Sequence, residues 1–110
     1  KDLKESTKQR FAALQFLYPE AALEAEIVAH EAGIPLADAK TLVTIGERAR
    51  NLKGHGLNEG ASTRMLIHAG QLIARGVPPE DACLVALILP ITDDADMRAA
   101  LTQAVAACLR

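Results

Sequence analysis

The sequence predicts a mainly α-helical fold, a compact bundle of five helices preceded by one strand, and three observations predict it. Half of the 110 residues are apolar, yet the aromatics are only Phe11, Phe16 and Tyr18. A core beyond residue 18 must therefore be built from Ala, Leu, Ile and Val, which suits close-packed helices better than short strands. From Pro19 onward the apolar residues recur at helical spacing, and prolines and glycines punctuate the pattern where helices start and stop.

The elements follow in order. Residues 11–18, "FAALQFLY", are short, apolar and closed by Pro19, as a buried strand would be. One strand makes no sheet, so its partners would lie upstream in a longer chain or in another subunit. The stretch "PEAALEAEIVAHEAG" opens with Pro and Glu and closes at Gly33, the expected order for a helix. "PLADAKTLVTIGERARNLKG" places Ala39, Leu42, Val43, Gly46 and Ala49 on one face and ends in bases, in keeping with the helix dipole. After the glycine-rich loop "GHGLNEGA", a third helix carries Met65, Ala69, Leu72, Ile73 and Gly76 on one stripe. "PPEDACLVALILP" reads as a short helix with Ala82, Val85, Ala86 and Leu89 inward. The last, "DDADMRAALTQAVAACLR", spaces Met97, Leu101, Val105 and Cys108 along one side.

Several function classes are excluded. A net charge of −2 gives no general attraction to nucleic acid or anionic membrane. No apolar run reaches the roughly 18–20 residues of a membrane span, and no hydrophobic region follows the charges of "KDLKESTKQR", so that stretch is not expected to be a signal peptide. Cys83 and Cys108 lack metal-ligand spacing and read as buried free thiols of a reducing cytosol. His30, His55 and His68 are scattered, so no metal site is expected. Nothing matches a phosphate-binding P-loop, and no nucleophile–base pair can be argued. Taken alone, the chain has no catalytic machinery.

Charge is nevertheless uneven. From Arg48 to Arg64 the bases are Arg48, Arg50, Lys53 and Arg64, against the single acid Glu59. From Glu80 to Asp96 there are Glu80, Asp81, Asp93, Asp94 and Asp96 and no base. Such acids suit helix N-termini. Arg64 does not suit its place. With Ser62 or Thr63 as the N-cap it falls in the first turn, where a cation opposes the dipole by a few tenths of a kcal/mol, up to roughly 1. Either it faces solvent or pairs with Glu59, or an anion such as a phosphate is drawn to that helix end and repays the misplacement. Arg10, in "STKQRF" at the edge of the expected strand, is either part of a solvated basic segment or a guanidinium presented to a phosphate.

The stretches "DLKESTKQRFAALQFLYP", "IVAHEAG", "LKGHGLNEGASTRMLIHAGQLI" and "LPITDDADMRAAL" together resemble the C-terminal part of the CbbQ/NorQ/NirQ group of MoxR-type AAA+ ATPases, over essentially the whole chain. The resemblance implies that residues 1–18 are the tail of an AAA+ core, with the arginine-finger segment and last core strand, and that 19–110 are the helical lid. It implies that Arg10 is an arginine finger reaching a neighbouring subunit's nucleotide. Arg64 becomes the sensor-2 arginine at the ATP phosphates, with Ser62 and Thr63 beside it. The family often reads "STRQRF"; here position 8 is Lys, so the finger is assigned to Arg10 and Lys8 is supporting charge. The chain, starting without Met in a charged segment, then reads as an excerpt of a longer protein whose Walker motifs lie upstream. ATP and Mg²⁺ would belong to that parent, and the fragment alone would bind neither.

The implied assembly is a homo-oligomeric ring, a hexamer, working with a von Willebrand factor A-type partner on a client, Rubisco first and a nitric oxide or nitrite reductase second. The implied setting is the bacterial cytoplasm, with the carboxysome as one location. No nucleic acid and no membrane partner is expected. A stand-alone helical protein-binding module is the alternative of another class. Detached from its sheet, the aromatic segment at 11–18 is expected to make the fragment sticky or oligomeric.

Overall fold

The computed structural model describes residues 19–52 and 61–109. The expected strand, Arg10, Lys8 and the loop with Glu59 lie outside the described residues. Among those described there are five helices and no strand: α1 (Ala21–Ala32), α2 (Leu36–Leu52), α3 (Thr63–Ala74), α4 (residues 79–91) and α5 (Ala95–Leu109).

Most of the sequence punctuation holds, although α1 starts at Ala21 with Glu20 as its N-cap, so Pro19 and Glu20 precede the first turn instead of opening it. Gly33 closes α1 at φ 75°, a left-handed turn that spares a Cβ clash, and its N–H donates to the Ala29 carbonyl at 2.9 Å. Pro79 occupies the first turn of α4, with Glu80 and Asp81 beside it at the dipole's positive end. At α5 the capping acid is Asp94, whose Oδ2 accepts from the Met97 N–H at 2.8 Å, while its neighbour Asp93 is exposed.

α1 packs across α2 and α3, and α2 also packs on α5, so α2 runs through the middle of the bundle. The core is aliphatic: Ala25 and Val28, then Ala39, Leu42, Val43, Ile45 and Ala49, then Leu66 and Ala69, Leu87 and Ile88, Leu101 and Val105. The inward face expected for α2 is buried throughout. On α3 the buried arc is shifted. Leu66 and Gly70 are buried with Ala69, whereas Met65, Leu72 and Ile73 are only partly covered. Gly76 lies beyond the helix at φ 98° and is exposed. Gly70 is where α1 and α3 touch, since a Cβ there would sit 2.7 Å from the Cβ of Ala32.

The expectation for α4 needs correction. Val85 and Leu89 face outward, at 51% and 43% exposure, and the buried residues are Ala82, Cys83 and the run Ala86, Leu87, Ile88. The cause is a π-helical turn over Leu84–Ile88, in which the Leu89 N–H reaches back to the Leu84 carbonyl instead of to Val85. Pro90 gives a reason for it. A proline has no N–H for the carbonyl four residues back and its ring collides with it, and a widened turn before it relieves both. The helix thus passes through Pro90 and ends at Ile91.

Cys83 is buried and its thiol is pushed up to about 12, chiefly by burial and further by Cys108 and Glu80. Cys108 is half-buried. Among the described residues no helix is long and apolar enough to cross a membrane, and no group of acids, histidines and cysteines could hold a metal ion.

Candidate functional site

The N-terminus of α3 is set by Ser62, in extended backbone with φ −87° and ψ 162°. Its Oγ accepts from the Met65 N–H at 3.2 Å, and its carbonyl accepts from Leu66 N–H, so Ser62 is the cap and Thr63 the first helical residue. Arg64 follows, exposed, in a first turn with no acidic residue. Among the described residues it makes no hydrogen bond or ion pair; Glu59, the pairing considered from sequence, lies outside them.

Beneath this helix end is a network that sequence reasoning passed over. Glu24 of α1 is fully buried, the one charged residue in the core of the described residues. Arg50 of α2 grips its carboxylate with two prongs, Nη1 to Oε1 at 3.0 Å and Nη2 to Oε2 at 2.6 Å. The Thr63 hydroxyl donates to Oε2 at 2.7 Å. Arg50 Nε donates to the Ala61 carbonyl, also at 2.7 Å. One carboxylate and one guanidinium therefore tie α1, α2 and the lead-in to α3 together, immediately before Arg64.

The electrostatics close on themselves. Burial by itself pushes the Glu24 carboxyl up, but the hydrogen bonds from Arg50 and Thr63 and the Arg50 charge outweigh it, and the net effect holds Glu24 below its ordinary range. With both oxygens occupied, Glu24 is committed to Arg50 and Thr63, and the first turn of α3 holds no acid of its own. The site fits an oxygen anion: an exposed guanidinium, first-turn amides with no acceptor inside the helix, and no competing carboxylate in that turn. Ser62 and Thr63, expected beside the phosphates, spend their hydroxyls on the helix end. Ser62 accepts there and keeps its own proton to give, whereas Thr63 gives its proton to Glu24. Arg10 lies outside the described residues, so its placement against this end is not part of the geometry.

Glu24 left a signal in the sequence. It falls on the stripe of Ala25, Val28 and Ala32, where an acid on the core face requires a buried partner.

Residues 24–108 match the model of the CbbQ/NirQ/NorQ C-terminal family. Over 104 residues the chain is 61% identical to Protein CbbQ of Hydrogenophilus thermoluteolus, covering 94% of this chain and 39% of that protein. It is 49% identical over 105 residues to the denitrification regulatory protein NirQ of Pseudomonas aeruginosa, covering 96% and 40%. To Protein NorQ of Paracoccus denitrificans it is 44% identical over 107 residues, covering 97% and 40%. The chain thus spans about two fifths of the length of these curated relatives.

Proposed function

The chain belongs to the CbbQ/NirQ/NorQ family, and from that premise we propose that it is the helical lid of a ring-forming, MoxR-type AAA+ ATPase in which Arg64 reads the γ-phosphate of ATP. The observation that carries this reading is the contrast at the start of α3. An exposed arginine stands where the dipole disfavours it, on a helix end fixed to two other helices by the Glu24–Arg50 pair. A cation held at that end has a purpose if a phosphate comes to it.

The nucleotide with Mg²⁺ supplies the phosphoryl chemistry when bound in the longer protein. The residues of this chain bind and orient. Arg64 contributes charge to the terminal phosphate, and the Ser62 hydroxyl retains a proton to donate beside it. Binding ATP more tightly than ADP would change the free energy between lid positions, because only a ligand with different affinity for two states shifts their balance. The anchored helix end makes the lid respond as one body. Arg10 serves as the arginine finger across a subunit boundary, a role worth roughly 10³–10⁵ in rate among GTPases.

In this reading the parent works as a hexameric ring in the bacterial cytoplasm with a von Willebrand factor A-type partner. Its client is Rubisco, in keeping with the greater identity to CbbQ than to NirQ and NorQ. The test uses the parent protein. Arg10→Ala and Arg64→Ala should each abolish most ATP hydrolysis, and mixing Arg10→Ala with a subunit dead in its nucleotide-binding motif should partly restore it. Normal hydrolysis by both single variants would reduce Arg64 to a surface arginine.

A further inference from the structure

Thr63 and Arg64 are neighbours in the first turn of α3 and point apart. The Thr63 hydroxyl donates inward to Glu24 Oε2 at 2.7 Å, while Arg64 is exposed. Successive side chains of a helix stand about 100° apart around its axis, so fixing the direction of one fixes that of the next. The anchor is rigid. Glu24 is 1% exposed at its side chain, and Arg50 grips both of its oxygens, at 3.0 and 2.6 Å. Thr63 is β-branched, so few χ1 rotamers are open to it and the hydrogen bond selects one. The other two ties at this end act on the backbone. Ser62 Oγ accepts from the Met65 N–H, and Arg50 Nε donates to the Ala61 carbonyl ahead of the helix. Among the described residues, no other side chain of α3 hydrogen-bonds to a different helix.

A hydroxyl has one proton to give. Thr63 gives it to Glu24, which leaves none for a phosphate oxygen. We infer that Thr63 is a positioning residue: it acts through Arg64, aiming that guanidinium at the phosphate, and does not touch the phosphate itself. The inference rests on the reading of Arg64 given above. Displacing a reacting or stabilising group by about 1 Å can cost on the order of a hundredfold in rate, so a helix start free to rotate would waste the arginine it carries. The fold needs this hydroxyl less than it needs the ion pair. Without it Glu24 keeps both bonds from Arg50, and the buried charge stays paired.

The test is a double-variant cycle on ATP hydrolysis by the parent protein, with the urea midpoint of each variant measured alongside. Thr63→Val keeps the shape and removes the donor, and the rate at saturating ATP should fall about tenfold, part of the loss seen in Arg64→Ala. Thr63→Ser restores the donor and should stay within about twofold of wild type. In the Arg64→Ala background Thr63→Val should cost nothing further, because residues that act as a unit are not additive. A Thr63→Val loss of equal size with and without Arg64 would mean that Thr63 acts independently of the arginine, and overturns the inference. So does an unchanged rate in Thr63→Val beside an impaired Arg64→Ala, or a Thr63→Ser rate as low as that of Thr63→Val. A Thr63→Val midpoint lowered as far as that of Glu24→Ala would make the residue structural and overturns it too. The phosphate reading fails on a different result, a wild-type rate in Arg64→Ala, and takes the inference with it.

Discussion

Arg50 and Arg64 meet the same helix end and are used in opposite ways. Arg50 approaches from α2, is only 11% exposed at its side chain, and spends three nitrogens on Glu24 and the Ala61 carbonyl. Arg64 rises from the first turn of α3 and spends none among the described residues. In the sequence both belong to one basic stretch. The structure separates a guanidinium that builds the site from one that the site presents, and the difference lies in an acid on another helix. A buried carboxylate decides which arginine is structural.

The comparison breaks most severely at Glu24. Replacing it by Ala removes the buried carboxylate that Arg50 grips with two nitrogens and Thr63 with its hydroxyl, which should cost about 3–5 kcal/mol in urea unfolding. Arg50→Ala should cost a similar amount by stranding the carboxylate. The same pair predicts a pH dependence. Because the folded carboxyl is lowered, its stabilisation is fully present above the ordinary glutamate range and is lost as pH falls through the lowered value. Stability in mild acid should therefore fall more steeply for wild type than for Glu24→Gln. Equal slopes would mean the pair contributes little.

A second way to disturb the helix end leaves its charges alone. Gly70→Ala puts a methyl 2.7 Å from the Ala32 Cβ and should cost about 1–3 kcal/mol by prising α3 from α1. Smaller again is Ser62→Ala, which removes the hydroxyl that accepts from Met65 N–H and should cost about 1 kcal/mol. Arg64→Ala is expected to leave stability unchanged or raise it by a few tenths of a kcal/mol, since a misplaced cation is removed. A fall of Arg50's size would show that both arginines hold the fold together.

Much of this was legible in the sequence, for reasons the structure makes plain. Helix boundaries followed closely from Pro19, Gly33 and Pro35, because those residues act locally, whereas the cap of α3 was narrowed only to Ser62 or Thr63. The inward face of α2 followed from periodicity, because that helix is packed on several sides. The outward face of α4 was misread, because a π turn changes the period by which inward and outward are counted, and its only local sign is Pro90 within an apolar run. Arg64 stood out because it violates a local electrostatic rule. The Glu24–Arg50 pair did not, because its partners are far apart in the chain, and the visible sign was an acid on an apolar stripe.

The most direct measurement is ATP hydrolysis by Arg64→Ala in the parent protein, alongside its urea midpoint. The account predicts an unchanged midpoint with the rate reduced by roughly a hundredfold, the scale of removing one preorganised donor from a developing charge. A wild-type rate with an unchanged midpoint would contradict it, and would leave the exposed arginine without a phosphate to read.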